Sequence, residues 1–126
     1  MALKLYAHKH SRPCISVTPS LILWLNATAC RLVVEAGIHA VFVLWDPMER
    51  RLVLRPAEKG APDSYRITFN RSNSGAQICA VGFLKHIKWS AEARETVIAT
   101  WDAAEKSIEA TVPAKFLHGS QARAAE

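Results

Sequence analysis

Apolar and polar positions alternate between two periods along this chain. Ile15 to Thr18 and Leu21 to Leu25 are β-rich stretches broken at Pro19-Ser20, a pattern that predicts two strands across a turn. Asn26 then stands where a helix cap belongs, because its side chain can accept from the free backbone N–H groups of a first turn. From Ala27 to Glu35 the spacing becomes helical, with Cys30, Val33 and Val34 on the apolar positions and Gly37 as the stop. Ala40 to Trp45 is apolar on both faces and predicts a strand covered on both sides, central or interfacial.

The second half follows the same order. Tyr65 to Phe69 and Ala76 to Ala80 flank the turn signal Asn73-Ser74-Gly75, and a short helix is expected from about Val81 to Ile87. The correspondence is closest in the hairpins. Val43-Leu44-Trp45-Asp46 and Ala99-Thr100-Trp101-Asp102 each run into four turn-like residues and a resumed strand, with Trp45 and Trp101 standing 56 positions apart. An Asp at the first turn position accepts from the backbone it bends, and Pro47 presets the next φ in the first copy. Ser107, Glu109 and Thr111 alternate with Ile108, Ala110 and Val112, so the second hairpin is expected to be half solvated.

This organisation predicts a single domain over 1–126 with repeat copies at about 12–56 and 64–113. A Gly/Pro-containing linker occupies 57–63, and a tail over 114–126 has little to bury and is expected to fray. The expected fold class is mainly β with two short α-helices (α+β), built from two hairpin modules related by pseudo-twofold symmetry.

Composition narrows the functional classes. Half of the 126 residues are hydrophobic and 21% are charged, which excludes an intrinsically disordered chain. No apolar run approaches the roughly 20 residues of a membrane span, and the start has no signal-peptide stretch, so a cytoplasmic protein is expected. Cys14, Cys30 and Cys79 have no C-x-x-C spacing and read as buried free thiols. His8, His10 and Cys14 supply three metal-ligand types without a fourth, which favours an exposed basic N-terminus over a zinc site. His39, His86 and His118 stand alone. No phosphate-binding glycine loop, nucleophile elbow or metalloprotease helix occurs, so no enzyme is expected. Trp45 and Trp101 occupy equivalent strand ends and read as packing between hairpins rather than base-stacking groups.

Charge adds direction. The net charge is +5, and Ser64 to Lys88 holds Arg66, Arg71, Lys85 and Lys88 with no acidic residue. From Trp89 to Val112 five acids face two bases. Positive charge is therefore segregated near both copies' first strands, where phosphates would be neutralised and counterions released.

The stretch Ile15-Ser16-Val17-Thr18 through Leu25-Asn26-Ala27-Thr28-Ala29-Cys30-Arg31-Leu32, then Val41 to Asp46 and Arg51 to Pro56, resembles the swapped-hairpin modules of the SpoVT/AbrB and MazE group. Ile38-His39 stands where members usually carry Gly-Asp, and Leu25-Asn26 replaces a frequent Ile-Pro step. The resemblance implies a fused AbrB-like barrel made from two intrachain repeats. It further implies a DNA-binding transcriptional regulator or antitoxin-like protein with no metal and no cofactor. The matching DNA-binding positions are Lys4, Lys9 and Arg12 before the first copy, with Arg66 and Arg71 before the second. Double-stranded DNA is the implied partner. The alternative is a protein-interaction or oligomerisation module in which the doubly apolar hairpin meets a second copy of the chain or a toxin-like protein.

Overall fold

The structure, a computed structural model, describes residues 12–117. Its strands are β1 (Cys14–Val17), β2 (Leu23–Leu25), β3 (Ala40–Asp46), β4 (Arg51–Ala57), β5 (Tyr65–Arg66), β6 (Thr68–Phe69), β7 (Ala76–Ile78), β8 (Glu95–Asp102) and β9 (Ser107–Thr111). Two short helices, α1 (Ala27–Glu35) and α2 (Val81–His86), lie between strands, and a 3-10 turn spans Ala114–Phe116. The class is thus mainly β with two short helices. No helix among the described residues is long and apolar enough to cross a membrane.

All nine strands join one sheet in the order β5-β3-β4-β9-β8-β1-β2-β7-β6, and every neighbouring pair is antiparallel. The two edge strands, β5 and β6, are consecutive in the chain and separated by Ile67 alone. One bent strand therefore serves both edges, and the sheet curls into a nearly closed barrel. At the bend the Ile67 N–H donates to the His39 carbonyl at 3.0 Å, and its side chain is buried. Closure of this kind removes the unpaired edges that would otherwise template association.

Alternation along each strand fills the interior. Ile15 and Val17 of β1, Leu23 and Leu25 of β2, Val41 of β3, Leu52 and Leu54 of β4, Ile78 of β7, Ala99 of β8 and Ile108 and Ala110 of β9 form one buried cluster. Each large member removed from water stabilises the fold by about 1.5–3 kcal/mol. Ala29, Cys30 and Val33 of α1 and Leu84 of α2 join it, so each helix closes part of the core.

Local chemistry sets the boundaries. Asn26 caps α1 as its sequence position predicts, its Oδ1 accepting from the Ala29 N–H at 2.9 Å. Gly37 takes φ +72 just past the helix, and the Gly37 and Ile38 N–H groups donate to the Val34 and Val33 carbonyls. In the β3–β4 turn Asp46 Oδ1 accepts from the Met48 and Glu49 N–H groups at 3.0 and 3.3 Å. In the β8–β9 turn Asp102 Oδ1 accepts from Ala104 and Glu105 at 3.0 and 3.1 Å.

The structure departs from the sequence pattern at six places. The chain over 114–117 does not fray: Phe116 and Leu117 are buried, Leu117 bridges to Trp89, and the Trp89 and Phe116 rings lie 5.3 Å apart. Two apolar side chains in that short segment suffice to anchor it. The linker begins only after Ala57, because β4 extends that far to pair with Ala40 of β3. β3 is central, between β5 and β4, but its second face is covered only in part, with Ala40 buried and Phe42 half-buried. Val41, Val43 and Trp45 pack inward, while Phe42 and Leu44 face outward and Leu44 is 37% exposed. Val34 of α1 also points outward, at 39% exposed, because the helix buries Cys30 and Val33 and a third apolar position one residue later turns past the core. Cys79 is exposed, since it follows inward-facing Ile78 at a strand end; Cys30 is buried and Cys14 half-buried, and all three thiols are free. In β9 the expected alternation holds at Glu109 and Thr111, but Ser107 is buried, its hydroxyl donating to the Glu105 carbonyl at 3.2 Å.

Candidate nucleic-acid interface

Of the five basic positions that the sequence suggests, Lys4 and Lys9 lie outside the described residues. Arg12, Arg66 and Arg71 are all exposed. Among the described residues the one ion pair is Arg51 with Glu109, at 3.5 Å, so none of these three arginines is engaged with a carboxylate there.

Arg12 leads into β1, and Asn26 fixes that lead-in. The Asn26 Nδ2 donates to the Arg12 carbonyl at 2.8 Å, while its Oδ1 also accepts from the Cys14 N–H at 3.0 Å. The Asn26 N–H donates to the Cys14 carbonyl at 3.2 Å. One side chain thus caps α1 and pins the backbone that carries Arg12.

Arg71 sits in the turn between β6 and β7, which is held by its own polar groups. The Asn70 N–H donates to the Gly75 carbonyl at 3.0 Å, Asn70 Oδ1 accepts from the Ser74 N–H at 2.8 Å, and Asn70 Nδ2 donates to Ser74 Oγ at 3.1 Å. Asn73 supplies the left-handed residue of the turn at φ +56. Gly75 is buried against β2, where a Cβ would stand 3.4 Å from the Leu25 carbonyl oxygen.

Register brings these two arginines to one edge. Ile15 pairs with Leu25, Leu25 with Ala76, and Ala76 with Phe69, so one row crosses β1, β2, β7 and β6. One residue beyond that row stand Cys14, Asn26, Gly75 and Asn70. Arg12 and Arg71 flank its two ends, three strand spacings or roughly 15 Å apart along the sheet.

Arg66 is not part of this edge. It lies back along the same strand, beyond the bend at Ile67, in register with Ala40 of β3. There it lines a cavity of about 640 Å³ with His39, Ala40, Lys59, Gly60, Ala61, Ser64, Ile67 and Phe69. The sequence pattern marks Lys59 only as linker and His39 only as an isolated histidine. Their meeting depends on the β3–β5 pairing, which no local signal announces.

The tryptophans are packing groups in part. The Trp45 ring meets Phe83 of α2 edge-on, with centroids 6.0 Å apart, so the β3–β4 hairpin packs on α2. Trp101 is half-buried against the core. No group of three metal-ligating side chains occurs among the described residues. Burial pushes the Cys30 thiol above its ordinary pKa of 9.0, and a hydrogen bond with the Gly75 backbone opposes the rise. No known protein family, curated protein or solved structure matches this chain.

Proposed function

We propose that this chain is a fused, two-copy relative of the SpoVT/AbrB and MazE group and binds double-stranded DNA in gene regulation. The observation that carries the reading is the edge on which the register sets Arg12 and Arg71, both exposed and outside any ion pair among the described residues. Their spacing of roughly 15 Å is close to the major-groove width of about 12 Å, so they would hold phosphates on either side of one groove.

The strand pairings support the two-copy part of the reading. Exchanging β1 with β5/β6, β2 with β7, β3 with β8 and β4 with β9 turns β1–β8 into β5–β3 and β1–β2 into β6–β7, while β2–β7 and β4–β9 return to themselves. Each copy's first strand thus pairs with the other copy's hairpin. Backbone details agree with the exchange: Arg50 and Lys106 take φ +54 and +53 at the same hairpin position, and Gly37 and Lys88 take +72 and +65 after the two helices.

Fluorescence anisotropy of a labelled random duplex at increasing salt tests the proposal. Binding that weakens steeply with salt supports it, and no retention at about 50 mM salt contradicts it. A second reading is favoured by Leu44 of β3, which is exposed, beside half-buried Phe42 on the same face. Such a strip suits a homodimer or a toxin-like partner. A monomeric solution mass combined with no duplex binding would turn the reading toward a missing protein partner.

A further inference from the structure

We propose that the cavity beside β5 is a binding site for a small organic anion: a phosphomonoester or carboxylate attached to a flat apolar body. This goes beyond duplex binding and does not depend on it. The volume, about 640 Å³, is in the range of about 300–1,000 Å³ typical of small-molecule sites.

The lining is chemically one-sided. Lys59 and Arg66 bring cationic groups and His39 brings an imidazole, whereas no carboxylate lines the cavity even though Glu58 and Asp63 are close in sequence. Neither Lys59 nor Arg66 is in the one ion pair found among the described residues. Two unpaired cations converging on a concavity favour an anion, and a guanidinium matches the geometry of phosphate or carboxylate with two parallel hydrogen bonds.

The rest of the lining is largely apolar. Ala40, Ala61, Ile67 and Phe69 supply it, and the Phe69 ring stands edge-on to His39, with centroids 6.3 Å apart and planes at 85°. A flat ring entering the cavity can lie against Phe69 while its anionic group reaches Arg66 and Lys59. The loop that closes the cavity is preformed. The Ala61 N–H donates to the Glu58 carbonyl at 2.9 Å, and the Ser64 N–H and hydroxyl both donate to the Ala61 carbonyl, at 3.2 and 2.6 Å. Gly60 takes φ +81, a conformation that side chains rarely adopt, which lets the loop turn over the strand.

Calorimetric titration of the whole chain with phenyl phosphate, benzoate and inorganic phosphate tests the site. Phenyl phosphate is expected to bind with a Kd on the order of 0.1–1 mM, and inorganic phosphate at least about tenfold more weakly. The benzoate arm distinguishes carboxylate from phosphate as the preferred head group. Lys59→Gln and Arg66→Gln should each weaken phenyl phosphate about tenfold. Phe69→Ala should weaken phenyl phosphate but leave inorganic phosphate unchanged, and Lys106→Ala, in the β8–β9 turn away from the cavity, should change neither. Unaltered thermal midpoints identify variants that remain folded; Lys59, exposed in a loop, is the one to rely on if the strand variants unfold. No saturable binding of phenyl phosphate or benzoate, or an equal loss in Lys106→Ala, overturns the proposal. Loss of duplex binding with phenyl phosphate binding intact contradicts only the duplex reading.

Discussion

Asn26 shows how much one side chain can decide. It caps α1, and it also ties the Arg12 carbonyl and the Cys14 N–H to the start of that helix. Asn26→Ala removes all three bonds and is expected to cost about 2 kcal/mol, above an ordinary cap loss of about 1 kcal/mol, as read from urea unfolding. The capping role is legible in the sequence, because Asn precedes a helical period. The tie to Arg12 is not, because it depends on β1 running antiparallel to β2. Gly37 and Lys88 form a matched pair at the same backbone conformation. A Cβ at Gly37 meets nothing within 4 Å, so Gly37→Ala should cost about 1 kcal/mol from the left-handed backbone alone, and Lys88→Gly should relieve a similar amount. Thermal midpoints moving in opposite directions would bear this out.

Cys30 links burial to pH at the same scale. Its thiol loses its proton less readily in the folded chain than in the unfolded one, because burial raises the folded pKa above 9.0. Its contribution is whole below that pH, and the unfolded state gains as pH rises beyond it. Stability should therefore fall between about pH 8 and 10 more steeply in the parent than in Cys30→Ala, measured by urea midpoints at each pH. A thiol reagent at neutral pH should modify exposed Cys79 first and reach Cys30 only on unfolding.

Among the elements, the two hairpins were the most legible. Trp-Asp followed by a four-residue turn recurs at a fixed separation, and in both turns the Asp carboxylate receives two backbone N–H groups. Asp46→Ala and Asp102→Ala are each expected to cost about 1 kcal/mol, with nearly additive effects in the double variant because the two turns share no hydrogen bond. Strongly coupled losses would contradict the separate-turn account. The bend at Ile67 was not legible. Tyr65 to Phe69 reads as one continuous strand, and only the competing claims of β3 and β7 on its two halves divide it. Apolar content on both faces of β3 shows that the strand can be covered twice; within the chain its second face is covered only in part, Ala40 buried and Leu44 exposed.

For the whole molecule, the sequence carries the class and the order of elements, since both follow from local period and turn chemistry. It does not carry barrel closure, which needs pairings between residues far apart in the chain, such as Cys14 with Ile98 and Ala40 with Arg66. The candidate site divides in the same way. Arg12, Arg66 and Arg71 are visible as basic residues outside acidic stretches, but only the row from Ile15 through Leu25 and Ala76 to Phe69 sets Arg12 with Arg71 and leaves Arg66 to the cavity. The exposed arginines therefore fall at two distinct places on the molecule, the Arg12–Arg71 edge and the cavity beside β5.

The most direct test of the duplex-binding account is the salt slope of duplex affinity in paired variants. Arg12→Ala and Arg71→Ala should each weaken binding uniformly across sequences and reduce the slope of log affinity against log salt by about 1, while Lys106→Ala at the acidic hairpin leaves the slope unchanged. An unchanged slope in the Arg12→Ala, Arg71→Ala double variant, with the fold intact, would contradict it.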